Sequence, residues 1–408
     1  MKTLNLIAFL SDLNEQGSIR SSHKELFDTL ETAFRVNIIS PEEYAASSKQ
    51  DLGVVFISSG GTEGKFVAAF PQLPKPVILL TDGLQNSLAA ALEISAWARQ
   101  KGVQCSVVHA RGEQLLREMQ LLYLSFNAKR ELKGKRIGVI GEPSSWLIAS
   151  GVDYGKARER WGVEFEDIPL SEVEAEYARA DDDRARAVAE TVARSASATV
   201  EPSGDDLLKA SKLYLAIKKV AENHRLDALT IQCFSLIAST GTTGCLALSL
   251  LNDSGIVAGC EGDEQTVFTM LLSKALTGSP GFMANPSQID TSANTVLLAH
   301  CTIGLAQTSG FRLRSHFESG IGVAVQGEMP SDTYTVVKCG GRHLDQIFAC
   351  GARLVENTDF SNVCRTQVRL QIDAPADYFL TRSLGNHHVI VRGDWAAAFI
   401  ATLNASLA

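Results

Sequence analysis

Residues 129–140 read KRELKGKRIGVI, in which a charged joint at residues 129–136 is followed directly by an apolar strand at residues 137–140. The chain has 408 residues, which is long for one hydrophobic core, since domains usually hold about 100–200 residues. Domain boundaries fall in exposed polar segments, and a fresh apolar strand behind such a segment starts a new core. We therefore predict a first domain at residues 1–130 and a second domain from residue 131.

Apolar runs alternate with amphipathic helical stretches on both sides of this joint. The runs before it lie at residues 4–9, 36–39, 53–58, 77–80 and 103–109, and those behind it at residues 163–165, 228–232 and 256–259. This alternation is typical of βαβ units around a parallel sheet. It predicts an α/β fold with two Rossmann-like domains.

The pattern changes after residue 305. Short alternating strands rich in Gly, Thr and Val follow one another at residues 311–317, 320–327, 333–338 and 343–356. Closely spaced strands of this kind fit a barrel-like sheet better than further βαβ units. We therefore predict that the second domain ends at residue 305 and that residues 306–408 form a β-rich, barrel-like C-terminal domain.

Charge and composition exclude several classes of protein. The net charge is -8, and Lys and Arg are scattered without a basic stripe, so we expect no nucleic-acid partner. No run of about 18 apolar residues predicts a membrane span, and the short apolar start meets Asp12 too early for a signal peptide. The eight cysteines are dispersed with no CxxC pair, which suits a reducing compartment. We expect a cytoplasmic protein with a small-molecule or protein partner.

The usual nucleotide-binding and hydrolase motifs are missing. The strand at residues 137–140 is followed by Gly141, Glu142 and Pro143, not by a GxGxxG turn. The sequence contains neither a GxxxxGK[ST] loop nor a GxSxG elbow. The sequence therefore predicts no dinucleotide cofactor.

The segment GCEGDE at residues 259–264 carries the densest group of carboxylates next to a strand. Side chains at the carboxyl end of a strand lie where open α/β sheets bind ligands. Asp263 and Glu264 are well placed to cap and charge-balance the helix that follows. Glu261 comes one step too early to cap well, so it is the preferred functional carboxylate.

Histidines lie at the ends of two predicted strands. His300 is at the exit of an apolar strand at residues 296–299, on the same predicted sheet edge as Glu261. His387 and His388 stand at the entry of a strand, where the two-residue period lets only one of them face a site. Neutral His together with carboxylates is a ligand set that suits Mn²⁺.

A further set of polar residues alternates along residues 311–318. Arg312, Arg314, His316 and Glu318 are predicted to point to one side of a strand. Such a face is either solvated or lines a pocket for a polyol, in which Arg314 and His316 would hold hydroxyls or an anionic substituent.

Several of these segments resemble the L-fucose and L-arabinose isomerase group, in particular its fucose-isomerase-like members. The resemblance extends over most of the chain and rests on residues 60–63 (GGTE), Asn86 and Ser87 with Glu93, Trp146 in residues 143–146 (PSSW), residues 261–263 (EGD), residues 300–302 (HCT), His316 and Phe317, and residues 386–388 (NHH). It implies two Rossmann-like domains followed by a barrel-like domain. It also implies an aldose–ketose isomerase site where the last two domains meet, in trimers or hexamers.

The resemblance implies a Mn²⁺ site made of a Glu, a second acid, a C-terminal His and, in the arabinose branch, a further His. By motif, Glu261 matches the Glu, His300 the further His, and one of His387 and His388 the C-terminal His. The resemblance further implies sugar contacts from the N-terminal positions Glu63 and Asn86 and from Trp146.

The second acid departs from the family pattern. Asn285 stands near the expected carboxylate, and Asp290 is the nearest acid. Either Asn285 coordinates through its carbonyl, or Asp290 supplies the missing acid. For the base that moves the proton from C2 to C1, Glu261 is the first choice, followed by Asp290 or Asp263.

The predicted function is therefore a metal-dependent isomerase of a deoxyhexose or pentose-like sugar, acting through an enediol. A sugar-binding or regulatory relative without isomerase activity is the alternative from another class, because fold does not determine function. Another metal-assisted sugar reaction on the same scaffold is the third hypothesis.

Overall fold

The computed structural model describes residues 2–11 and 19–406. These residues form two compact units, which meet in sequence between residues 126 and 127. The first unit holds one parallel sheet, and the second unit holds another parallel sheet, a closed barrel and a small three-stranded sheet. The fold class predicted from the sequence is confirmed, while the domain boundaries at residues 130 and 305 stay predictions.

The first unit is a five-stranded parallel sheet with helices. Its strands are β1 (Lys2–Phe9), β2 (Phe34–Ile39), β3 (Leu52–Ile57), β4 (Val77–Leu80) and β5 (Cys105–Val108), in the order β2-β1-β3-β4-β5. Its helices are α1 (Ile19–Ser22), α2 (Lys24–Glu31), α3 (Pro41–Ala46), α4 (Glu63–Ala69), α5 (Ser87–Gln100) and α6 (Gly112–Leu132), which continues past residue 126. Every residue of β3 is buried, as expected for a parallel strand covered on both faces.

The second unit begins with a four-stranded parallel sheet. The strands of this unit are β6 (Arg136–Ile140), β7 (Glu164–Ile168), β8 (Ala198–Thr199), β9 (Ala228–Ile231), β10 (Val257–Cys260), β11 (Phe282–Asp290), β12 (Thr295–His300), β13 (Gly310–Arg314), β14 (Ala324–Glu328), β15 (Thr333–Gly340), β16 (Gln346–Asn357), β17 (Thr366–Ile372) and β18 (His388–Arg392). The parallel sheet has the order β10-β9-β6-β7.

Nine helices are described in this unit between residues 127 and 406. They are α7 (Tyr154–Trp161), α8 (Leu170–Arg179), α9 (Asp182–Ser195), α10 (Gly204–Asn223), α11 (Leu236–Thr240), α12 (Cys245–Asp253), α13 (Glu264–Thr277), α14 (Tyr378–Thr381) and α15 (Ala396–Ser406). Helix α13 directly follows β10, and Asp263 caps it by accepting a hydrogen bond from the Thr266 N–H.

The barrel is closed and antiparallel, with the strand order β11-β12-β17-β16-β15-β18. It takes its first two strands from the chain before residue 306. Strands β14, β13 and β8 form the separate three-stranded sheet. Within the barrel, Ala284 of β11 pairs with His388 of β18. This register brings the start of β18 beside the segment that contains Asn285.

No single helix in residues 2–11 and 19–406 is both long enough and apolar enough to cross a membrane. The two segments Cys233–Thr240 and Cys245–Asp253 reach them only when taken together, and they are bent by 117° relative to each other.

Candidate active site

The turn after β10 places Glu261. Glu261 and Gly262 both have left-handed backbone conformations, with φ of 64° and 75°. A side chain at Gly262 would start 2.6 Å from the Cα of Pro143, so only glycine fits there. A non-glycine residue with positive φ is uncommon, and such strained residues cluster at functional sites.

Glu261 meets two histidines and a tryptophan. Its Oε1 lies 3.4 Å from Nε2 of His387 and 3.7 Å from Nε2 of His300. Its Oε2 accepts a hydrogen bond of 2.6 Å from the indole N–H of Trp146. One ligand atom each from Glu261, His300 and His387 lies within 4.8 Å of the other two. Ligands of one first-row metal ion, each about 2.0–2.3 Å from it, have a similar separation.

Both histidines present a free nitrogen to Glu261. The Nε2 atoms of His300 and His387 are buried and have no hydrogen-bond partner. Their other ring nitrogens are held in place, by Thr302 Oγ1 at 3.0 Å for His300 and by Asp263 Oδ2 at 2.9 Å for His387. A histidine that binds a metal ion is typically oriented in this way through its second nitrogen.

Asp263 combines two roles. The predicted capping of α13 is confirmed, since the Thr266 N–H donates to Asp263 Oδ1 over 2.8 Å. The same carboxylate orients His387 and lies 3.5 Å from Nζ of the fully buried Lys338. Burial acts to raise the pKa of Asp263, but the Lys338 ammonium and His387 outweigh it and lower the pKa well below its usual range.

The charges of this cluster keep Glu261 ionised. Burial acts to raise the pKa of Glu261, but His300 and His387 outweigh it and lower that pKa far below the ordinary value. Burial acts to lower the pKa of His387, and its contacts with Asp263 and Glu261 reverse the effect and raise the pKa to about 9. Without a cation, His387 is therefore protonated at neutral pH.

A pocket opens in front of Glu261. It has a volume of about 460 Å³ and is lined by Trp146, Phe234, Glu261, Asn285, Glu318 and Asn386. An inner cavity of about 60 Å³ shares four of these residues, Phe234, Glu261, Asn285 and Glu318, and adds His300 and His316 among others. The Trp146 and Phe234 rings meet edge to face, with centroids 5.3 Å apart. Aromatic faces beside hydrogen-bonding groups suit a small polar organic ligand.

Similar proteins are known, although no protein-family model matches the chain. A sulfoquinovose isomerase from Clostridium sp. (strain MSTE9) is 30% identical over 135 residues, which is 32% of this chain and 30% of that protein. A sulfoquinovose isomerase from Alkalicoccus urumqiensis is 22% identical over 264 residues, which is 62% of this chain and 59% of that protein. The chain is therefore similar in part of its sequence to two sulfoquinovose isomerases. The matched part of the chain spans less than two thirds of the length of either relative.

The structure brings together three of the predicted metal ligands, Glu261, His300 and His387. His388 turns to the other side of β18, where its Nε2 lies 3.0 Å from the Tyr378 hydroxyl. Burial lowers the pKa of His388 to about 3. The period of two in a strand therefore separates the two histidines, and His387 is the one that faces Glu261.

The two candidates for the second acid lie in different surroundings. Asn285 lines the pocket together with Glu261. Asp290 is exposed at the far end of β11, where it accepts hydrogen bonds from the backbone of Ser292 and Ala293. Five residues of strand carry it about 16 Å along from Asn285. The structure does not bring Asp290 to the cluster.

The predicted polar strand face is shorter than expected. Strand β13 ends at Arg314, so the alternation does not continue to His316. Arg314 is paired with Glu201, with 2.6 Å between Nη2 and Oε1, and it also donates to Gln326. His316 and Glu318 line the inner cavity, whereas Arg314 lines neither the cavity nor the pocket.

The remaining predicted substrate contacts fall into two places. Trp146 lies on the wall of the pocket with Glu261. Glu63 and Asn86 line a shallow pocket of about 600 Å³ in the first unit, together with Ser59 and Gly60. The structure thus places Glu63 and Asn86 side by side, as their positions after β3 and β4 in one parallel sheet require.

Sequence reasoning missed Lys338 and Phe234. Lys338 is fully buried in β15, where Nζ donates to Thr266 Oγ1 over 2.6 Å. A single lysine inside the run YTVVKCG at residues 334–340 is a signal that could have been noticed, because a buried lysine needs a charged or polar partner. Phe234 gives no such signal, since an aromatic residue after a strand is common in any core.

Proposed function

We propose that this chain is a metal-dependent aldose–ketose isomerase. The observation that carries the proposal is the convergence of Glu261, His300 and His387, with both Nε2 atoms unpartnered, at the wall of a pocket for a small polar ligand. Similarity to two sulfoquinovose isomerases supports the reaction class.

The residues fit a divalent cation such as Mn²⁺. One carboxylate and two neutral imidazoles are hard to borderline ligands, and they leave coordination positions for substrate oxygens. The Nε2 atoms of His300 and His387 are buried without a hydrogen-bond partner, which is unfavourable unless another group binds them. A cation held there supplies Lewis acidity toward two neighbouring oxygens of a sugar.

The protein itself must hold the sugar and move two protons. Isomerisation through an enediol transfers the proton on C2 to C1 and a hydroxyl proton from O2 to O1, and one carboxylate near both carbons can carry the transfer between C2 and C1. Glu261 is the proposed base, oriented by the Trp146 indole. Glu318 lines the same pocket and is a second carboxylate there. The family pattern leads one to expect the second acid at the position of Asn285, which has no charge.

The pocket favours an uncharged sugar, such as a deoxyhexose or a pentose. Among the described residues that line the pocket and its inner cavity there is no lysine or arginine, whereas Glu261 and Glu318 are acidic. A sulfonate group placed beside Glu318 would be repelled. We therefore expect this chain to differ in substrate charge from the relatives named for sulfoquinovose.

Sugar binding without isomerisation is the second candidate function. Asn285 favours it, because an amide lacks both the charge and the basicity of the acid that the family pattern has there. Proton exchange at C2 separates the two functions, since a binding protein leaves that proton in place.

The test uses the whole protein, stripped of metal and then loaded with Mn²⁺. Neutral aldoses and sulfoquinovose are incubated with it in D₂O, and NMR follows ketose formation and deuterium incorporation. We expect exchange with a neutral aldose only when Mn²⁺ is present. Glu261→Gln should abolish the exchange, and the exposed Asp290→Asn should leave it unchanged. Binding of an aldose without any exchange would overturn the isomerase proposal.

A further inference from the structure

Five of the eight cysteines line the inner cavity beside Glu261. All eight are free thiols. The five that line the cavity are Cys233, Cys245, Cys260, Cys301 and Cys364. A single buried cysteine behaves as a small apolar residue. Five around one small cavity, with a histidine among them, form a different chemical environment, which the proposed isomerisation does not use.

Three side chains of this cavity converge as metal ligands do. The sulfur atoms of Cys245 and Cys301 and one ring nitrogen of His316 lie within 4.8 Å of one another, and all three residues are buried. In tetrahedral zinc sites, bond lengths of about 2.3 Å to sulfur and 2.0 Å to nitrogen put neighbouring ligand atoms about 3.5–3.8 Å apart. A contraction of about 1 Å is therefore sufficient to close the site around an ion.

The three ligands come from separate parts of the second unit. Cys245 is the first residue of α12, Cys301 directly follows β12, and His316 lies just beyond β13. An ion bound by all three would connect these three elements. Because each ligand lies at or just beyond the end of a helix or strand, small adjustments of the backbone are enough for the contraction.

Neighbouring groups already orient two of the ligands. His316 Nδ1 lies 3.0 Å from the Ser319 hydroxyl and 3.4 Å from the Ser319 backbone N–H; the hydroxyl can accept the ring proton at Nδ1 when Nε2 binds a cation. The Arg365 N–H donates to the sulfur of Cys301 over 3.5 Å, an arrangement that stabilises a thiolate. Outer contacts of this kind tune metal sites. Cys364 packs against Cys245 and Cys301 and is available as a fourth ligand.

We propose that Cys245, Cys301 and His316, with Cys364, form a second metal site that binds a thiophilic cation such as Zn²⁺. Thiolates select soft and borderline cations, whereas the carboxylate and imidazoles of Glu261, His300 and His387 suit Mn²⁺. On binding, each thiol releases its proton to solvent as its sulfur bonds to the ion. The two sites share one cavity and differ in their ligand chemistry.

Co²⁺ is the probe that reports this site directly. The whole protein is first reduced and stripped of metal. Reduction keeps Cys233 and Cys260 from forming a disulfide, since their sulfurs are 3.2 Å apart. On titration with Co²⁺ we expect thiolate-to-cobalt charge transfer in the near ultraviolet and tetrahedral ligand-field bands in the visible. Zn²⁺ should displace Co²⁺ and raise the midpoint of thermal unfolding.

Matched variants assign the signal. Cys245→Ser and Cys301→Ser should each weaken the charge-transfer band and lower the affinity for Co²⁺. Cys350→Ser should change neither, because Cys350 is a buried cysteine of β16 outside the cavity lining. Glu261→Gln should also leave the band and the affinity unchanged, which separates this site from the proposed isomerase centre. The absence of thiolate-to-cobalt charge transfer in the folded wild-type protein would overturn the proposal, as would a band of wild-type intensity and affinity in a Cys245→Ser/Cys301→Ser double variant.

Discussion

Replacing Asp263 with Asn tests how the protein prepares His387 for a metal ion. The carboxylate accepts the Nδ1 proton of His387 over 2.9 Å, so Nε2, which faces Glu261, is the nitrogen that releases its proton when a cation binds. In Asp263→Asn the carbonyl oxygen can still cap α13, which turns the amide NH₂ toward His387. The imidazole then favours the tautomer with its proton on Nε2, and that nitrogen cannot bind a cation.

Two effects of this change can be given magnitudes. Loss of a group that orients a metal ligand typically lowers metal affinity by about 10–100-fold. The change also leaves Lys338 buried without its anionic partner, 3.5 Å away in the wild-type protein. At that distance the attraction is about 5 kcal/mol for an effective dielectric constant of about 20, and breaking a buried pair typically costs about 3–5 kcal/mol of stability.

A double variant separates the two effects. Asp263→Asn/Lys338→Met removes the unpaired charge, so it should recover most of the lost thermal stability while Mn²⁺ affinity stays low. Affinity is measured by competition with a metal indicator, and stability by the midpoint of thermal unfolding. Wild-type Mn²⁺ affinity in Asp263→Asn, or its return in the double variant, would refute the orienting role of Asp263.

Two further predictions concern carboxyl groups near the pocket. Asn285→Asp adds a carboxylate to the pocket that Glu261 also lines, so it should tighten Mn²⁺ binding by about tenfold or more. Asp290 lies at an exposed turn, so Asp290→Asn should leave the Mn²⁺ affinity measured with the metal indicator unchanged. Burial raises the pKa of Glu264 to about 7, so its ionisation destabilises the fold progressively from about pH 4.5 to about pH 7. Glu264→Gln, a mimic of the protonated acid, should therefore gain about 3 kcal/mol over the wild-type protein at about pH 8 and almost nothing at about pH 4. An equal difference at both pH values in thermal unfolding would contradict this origin.

Much of the fold follows from local pattern. Apolar runs such as residues 53–58, separated by helical stretches, are sufficient to predict the parallel sheets, because a strand buried on both faces has to be apolar throughout. The barrel was predicted from strand spacing after residue 305, but β11 and β12 also belong to it. Their residues, 282–300, look like a continuation of the α/β pattern, and only their pairing with β17 and β18 assigns them to the barrel.

The site was less accessible to sequence reasoning. The two-residue period of a strand predicts that His387 and His388 face opposite sides. Which of the two histidines faces Glu261 is determined by the pairing of β11 with β18. Closeness in sequence suggested Asp290, although an extended strand carries it away from Asn285. The role of Lys338 is visible only in the structure, because its partner Asp263 lies 75 positions earlier and contacts it through tertiary packing.

The most direct test of the proposed metal centre is Mn²⁺ binding followed by electron paramagnetic resonance of the metal-stripped protein. The geometry of Glu261, His300 and His387 predicts one tightly bound ion per chain in the wild-type protein and in Asp290→Asn. It predicts a loss of affinity of about a hundredfold or more in Glu261→Gln and in His387→Gln, since each removes a direct ligand. Wild-type affinity in both of these variants would show that the ion binds elsewhere and would contradict the proposed centre.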